Sequence, residues 1–102
     1  MPIRDLDKHE KRVMLTLVEE VLCGEYLSDT EYRIRLGLNR CTAHTLLQYW
    51  PYLDEKNTNV QLLLNNSMNE MCYGIHFKTG WPCHLSFTRE YAKSIFHKWK
   101  GV

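Results

Sequence analysis

The sequence has no CxxC pair, no GxxxxGK[ST] loop and no apolar run near the roughly 20 residues a bilayer-spanning helix needs. Without the first, Cys23, Cys41, Cys72 and Cys83 stand scattered among core-like neighbours and read as reduced thiols of a reducing compartment. Without the second, there is no backbone cradle for a nucleotide phosphate, and no cofactor is expected. Without the third, no membrane partner is expected. The opening MPIRDLDKHEK is polar and lacks the apolar centre of a secretory signal, which makes the expected localisation cytoplasmic. Internal repeats and low-complexity tracts are absent too. So is a strong charge of either sign: the net charge is +1, where a nucleic-acid binder usually shows a marked basic excess.

What the sequence does have is an ordinary globular balance. Apolar residues make up 44% and charged residues 25% of 102, a size that fits one domain spanning 1–102. Charge is unevenly spread. Residues 1–27 carry four basic and six acidic side chains, whereas residues 78–102 carry Lys78, Arg89, Lys93, Lys98 and Lys100 against Glu90 alone. The basic C-terminal segment can form a local positive face.

Periodicity predicts the elements. Met14, Leu17, Val18, Val21 and Leu22 form a helical stripe within a first helix from residue 4 to about 24, with Asp5 and Asp7 near its start and Gly24 as its cap. Ser28 and Glu31 spell a capping box, with Leu27 and Tyr32 as its hydrophobic staple. Gly37 permits a sharp turn, and a further helix runs from about Asn39 to Trp50, ended by Pro51. A rival reading exists here: Tyr32, Ile34, Leu36 and Leu38 also alternate as a half-buried strand would. The capping box favours helix.

Beyond the polar link 54–59 the predicted period changes to two. Val60 to Leu64 is a short buried strand, Asn65 to Glu70 a turn, and Met71, Tyr73, Ile75 and Phe77 the inward side of a second strand. Thr79-Gly80 turns the chain, and Cys83, Leu85 and Phe87 mark a third strand, the short links making the sheet antiparallel. Thr88 caps a last helix with Tyr91, Ala92, Ile95, Phe96 and Trp99 on its apolar face. The expected fold class is therefore α+β: three helices, a small antiparallel sheet and a C-terminal helix.

The run LGLNRCTAH, with Tyr32, Leu36, Leu38, Ala43 and Leu46 at its apolar positions and Gly37 at the turn, resembles bacterial helix-turn-helix DNA-binding domains over residues 28–48. With a sheet behind it, the whole resembles the winged-helix form. The family's small fifth residue is replaced by Arg33, which must tilt outward or open the helix crossing. The loop 65–70, where a wing often carries cations, holds only Asn, Ser, Met and Glu, although asparagine and serine can bond phosphate oxygens.

The resemblance implies a small sequence-specific transcriptional regulator that lays the helix 39–50 in the major groove of double-stranded DNA and binds as a homodimer. Arg40, His44, Thr45 and Gln48 would meet bases, while Asn39, Thr42, Lys78 and Lys93 would position the backbone. The alternative is a protein-interaction module, an adaptor or inhibitor, using the same helix face without nucleic acid. Enzymatic chemistry is not expected. Cys41 and His44 are one turn apart, but no orienting acid or oxyanion site accompanies them. Cys72, His76, Cys83 and His84 fit no zinc spacing, so no metal is expected. The pairs Glu19-Glu20 and Asp54-Glu55 point in different directions and read as solvated charges.

Overall fold

Side-chain spacings of three and four organise every regular element, and the computed structural model, which describes residues 2–101, is all-helical. Five α-helices follow in order: α1 (Lys8–Cys23), α2 (Asp29–Leu36), α3 (Arg40–Leu47), α4 (Thr58–Asn69) and α5 (Arg89–Lys100). A short 3-10 turn, Ile3–Asp5, precedes α1, and a π-helical turn, Glu70–Gly74, continues α4. Among the described residues there is no strand.

The first helix begins later than its composition suggests. Asp7 is its N-cap and Glu10 completes a capping box, with Asp7 Oδ1 accepting from the Glu10 amide at 2.7 Å. Ile3 and Leu6, ahead of the cap, are buried. The Ser28–Glu31 capping box and the Gly37 turn are present as expected. Gly37 has φ 84°, a conformation that suits glycine, and a Cβ there would sit 3.2 Å from Leu62. The α3 helix stops at Leu47, and turns carry the chain to Pro51.

The expected antiparallel sheet is not formed, and this corrects the α+β, winged-helix-like reading. Val60, Leu63, Leu64, Ser67, Met68 and Met71 are all buried, at helical spacing, so the predicted strand and turn are a single helix capped by Asn57. The asparagines that looked like turn formers serve tertiary contacts. Asn66 Nδ2 donates to the Leu36 carbonyl at 2.9 Å and so satisfies the end of α2.

The second predicted strand fails for a related reason. Met71 and Cys72 are consecutive and both buried, while Tyr73 is exposed, which no two-faced strand allows. For residues 83–87, Leu85 and Phe87 are half-buried but Cys83 is exposed like His84 and Ser86, no neighbouring strand completes a ladder, and the backbone stays irregular. With no sheet there is no wing.

One hydrophobic core unites the helices. Packing against α1 are α3, α4 and α5; α2 packs on α3 and α4. Two carboxylates staple the periphery. Glu10, itself buried, accepts from Lys98 Nζ at 2.7 Å, tying α1 to α5. Glu55 accepts the Ile3 amide at 3.0 Å and the Trp99 indole N–H at 3.0 Å, tying the N-terminal turn to α5. No helix is long and apolar enough to cross a membrane, among the described residues.

Candidate functional site

The face singled out by the sequence is the outer side of α3. Asn39 is its N-cap, with Oδ1 accepting from the Thr42 amide at 2.8 Å, so both residues are engaged in starting the helix. Ala43 is buried, and Leu46 and Leu47 pack on the core. That leaves Cys41, His44, Thr45 and Gln48 exposed on one side. The Thr45 hydroxyl donates to the Cys41 carbonyl at 3.1 Å. Beyond the helix end, Tyr49 is 64% and Tyr52 88% exposed.

Arg40 does not join this exposed set. Its Nε donates to the Leu22 carbonyl at 2.9 Å, one Nη to the Leu27 carbonyl at 2.9 Å, and the other to Asp29 Oδ1 at 2.6 Å. The guanidinium lies 4.7 Å from the centroid of the Tyr32 ring. Two of its donors are thus directed to backbone carbonyls and the third to the exposed carboxylate of Asp29, joining α3 to the end of α1 and the start of α2. Burial pushes the Tyr32 hydroxyl up to about 12, against the opposing effect of Arg40.

Arg33 is the exposed cation at this place, and it does tilt outward. A cleft of about 740 Å³ separates α2 from α3, lined by Asp29, Arg33, Asn39, His44 and Thr45 among others. Cys41 and His44 border the same cleft, whose lining carboxylate, Asp29, is held by Arg40. The remaining two positioning candidates are elsewhere. Lys78 is exposed on the irregular segment after the π turn, and Lys93 on α5 holds its ammonium 4.9 Å from the Tyr73 ring centroid. Neither lines the α2–α3 cleft. Of the eight residues proposed from sequence, His44, Thr45 and Gln48 share an exposed face; Asn39 and Thr42 start its helix; Arg40, Lys78 and Lys93 are outside the set.

A second concave site was not legible as such. The segment 75–88 lacks regular structure, yet it is held in place by ring contacts and hydrogen bonds. Phe77 packs edge-on against Tyr26 at 5.3 Å and Trp81 at 5.7 Å, and Trp81 against Phe87 at 6.3 Å. The Trp81 indole donates to the Phe87 carbonyl at 2.9 Å. Glu20 of α1 accepts from the Tyr26 hydroxyl at 2.6 Å and pairs with His84 Nε2 at 2.8 Å. Burial, and then that bond to Glu20, pushes the Tyr26 hydroxyl to about 12. Of these residues, Phe77, Trp81 and Phe87 line a cleft of about 980 Å³ that Arg89 also lines. The signal available in the sequence was the density of aromatics, and it was absorbed by the strand reading.

Among the described residues no group of three or more His, Cys, Asp and Glu is placed to hold a metal ion. No family model matches the chain, and no curated protein or solved structure matches it.

Proposed function

We propose that the protein is a protein-interaction module, and that its docking face is the outer side of α3 continued by Tyr49 and Tyr52. One observation carries this over DNA binding: Arg40, the cation at the start of α3, has all edges of its guanidinium committed to Leu22, Leu27 and Asp29. From Cys41 to Leu53 there is no Lys, Arg, Asp or Glu. A duplex-binding helix needs cations to displace counterions from phosphates, and this face offers none of its own. Protein interfaces favour the opposite composition, with few charges at the centre and tyrosines as rigid anchors. The partner that fits is a protein surface whose contact area is uncharged and rich in hydrogen-bonding groups.

Photo-crosslinking tests this in the native host, with a photoreactive residue replacing Thr45 and, as a control, the exposed Arg12 of α1. The expected result is a discrete adduct from position 45 that resists nuclease, disappears on proteolysis, and is lost in the double variant Tyr49→Ala, Tyr52→Ala. A nuclease-sensitive adduct would restore the DNA reading. No adduct specific to position 45 would remove the proposed face altogether. In parallel, random-sequence duplex at low salt should show no binding that falls steeply with added salt.

The DNA reading retains one supporting observation. Arg33 is exposed beside the N-terminal end of α3, where a phosphate could meet both the guanidinium and the helix amides. A salt-dependent affinity abolished by Arg33→Ala would favour it.

A further inference from the structure

Arg89 breaks two rules at once. It is the first residue of α5, where the positive end of the helix dipole disfavours a cation. It is also half-buried, with Nε fully covered and without any hydrogen-bond partner. No ion pair engages it among the described residues. A buried guanidinium donor normally has an acceptor, and leaving one unmet is unfavourable. What surrounds it instead is aromatic: the guanidinium carbon lies 5.5 Å from the Phe77 ring centroid and 5.4 Å from that of Trp81. Ring faces hold a cation in place but offer no oxygen to its N–H groups.

Arg89, with Nε covered, lines a concavity with the rest of its side chain. The cleft of about 980 Å³ is lined by Phe77, Trp81, Phe87 and Ile75. Its volume falls within the range of small-molecule sites, which combine apolar walls with a few polar groups. The Trp81–Phe87 hydrogen bond joins two of these residues, and the pairing of His84 with Glu20 of α1 ties down the segment that carries them. At the mouth, Thr88 caps α5 by accepting from the Tyr91 amide, and the amides of Arg89 and Glu90 lie in the turn that the helix cannot satisfy internally. Glu90, the one carboxylate of the lining, is exposed and forms no pair with Arg89.

From this we infer that the cleft around Arg89 is a ligand site for a small molecule bearing an anionic oxygen group, a carboxylate or a phosphate, next to a flat apolar body. The anion takes the open side of the guanidinium fork and the α5 amides; the flat body packs against Trp81 and Phe87. A planar fork suits both oxyanions. The site is separate from the α3 face, and either can fail without the other.

Titration of the whole protein with phenyl phosphate and with phenylacetate, followed through the assigned indole N–H signal of Trp81, tests the inference; benzyl alcohol is the neutral control. Saturable shifts with at least one anion, about tenfold stronger than with benzyl alcohol, are expected, and the preferred anion identifies the oxyanion class. Arg89→Gln should weaken that binding about tenfold while Arg89→Lys, which keeps charge but loses the fork, falls between. Equal binding of charged and neutral probes, no saturable shift with either anion, or unchanged affinity in a folded Arg89→Gln protein would each overturn the assignment. If Arg89→Gln does not fold, the comparison of charged and neutral probes on the parent protein decides alone.

Discussion

Arg40 Nε donates to the Leu22 carbonyl oxygen at 2.9 Å, so the first residue of α3 closes the open end of α1. Leu22 is in the last turn of α1, whose carbonyls have no partner within the helix. A cation there also complements the helix dipole. The same guanidinium accounts for the Leu27 carbonyl, in the link between the helices. Arg40→Ala should therefore destabilise the fold by about 2–3 kcal/mol, the scale of hydrogen bonds to a charged group whose partners are left unmet. Arg40→Lys should restore only part of it, since an ammonium cannot span both carbonyls. Urea denaturation of the three proteins checks this; an Arg40→Ala protein as stable as the parent would show that the fork is dispensable.

Beneath that guanidinium, Tyr32 presents the opposite case. Its ring is fully buried and useful, but its hydroxyl is buried without a hydrogen-bond partner. Removing an unmet polar group recovers its desolvation penalty. Tyr32→Phe should leave stability unchanged or raise it by up to about 1 kcal/mol, whereas Tyr32→Ala should cost about 3–5 kcal/mol through the cavity it opens. Denaturant midpoints separate the two; a clear loss in Tyr32→Phe would mean that the hydroxyl has a partner.

These two residues mark how far the sequence could be read. Local signals were sound where local chemistry decides: Ser28, Glu31 and Gly37 fixed α2 and its turn, and Thr88 started α5. They misled where a polar residue serves a distant contact. Asn66 looks like a turn former but caps α2 from 30 positions away. Arg40 looks like an outward cation at a helix start, and nothing near it in sequence announces that Leu22 and Leu27 will claim it. The alternation of Met71, Tyr73, Ile75 and Phe77 mimicked a strand because a helix end and an irregular segment placed apolar side chains at every second position. The aromatic cleft around Arg89 needed the tertiary arrangement to gather Phe77, Trp81 and Phe87 about the first residue of α5 and to seat Phe77 against the distant Tyr26.

Alkaline pH should unfold the protein sooner than its net charge suggests. Burial raises the Cys72 thiol from 9.0 to about 11, and the Tyr26 and Tyr32 hydroxyls from 10.0 to about 12. The bond to Glu10 raises Lys98 above 10.5. In each the folded state holds its proton more tightly than the unfolded chain. Their contributions are complete below the unfolded values and are lost as pH rises through the folded ones. The thermal midpoint should fall between about pH 9 and pH 12. Tyr26→Phe should flatten part of that decline, and tyrosinate absorbance should show two tyrosines ionising late, together with unfolding. A midpoint flat over this range would contradict the burial of these groups.

Glu55 binds the N-terminal turn and α5 through one carboxylate, accepting from the Ile3 amide and the Trp99 indole. Glu55→Ala removes the acceptor for both, so about 2–3 kcal/mol of stability should be lost. Glu55→Gln keeps one carbonyl and should lose less. Hydrogen exchange locates the effect: the Ile3 amide should exchange faster in both variants, while the amides of α2 and α3 stay protected. Uniform acceleration across the molecule would assign Glu55 a global role instead.

The four thiols should separate into two classes that report on both proposed sites. Cys23, Cys41 and Cys83 are exposed, whereas Cys72 is 2% exposed and its thiol is pushed up to about 11. Thiolate is the reactive form, so burial and a raised pKa both protect Cys72. Iodoacetamide at neutral pH should add three groups to the folded protein and a fourth only in denaturant, as read by mass spectrometry. Position then gives the labels meaning. Cys41 lies on the α3 face and Cys83 lines the cleft of Arg89. In single-cysteine proteins, a bulky maleimide at Cys41 should block the crosslink from α3 and leave phenyl phosphate binding intact. The same label at Cys83 should do the reverse. Labels that impaired both activities, or neither, would mean that the two surfaces are not the independent sites argued from their geometry.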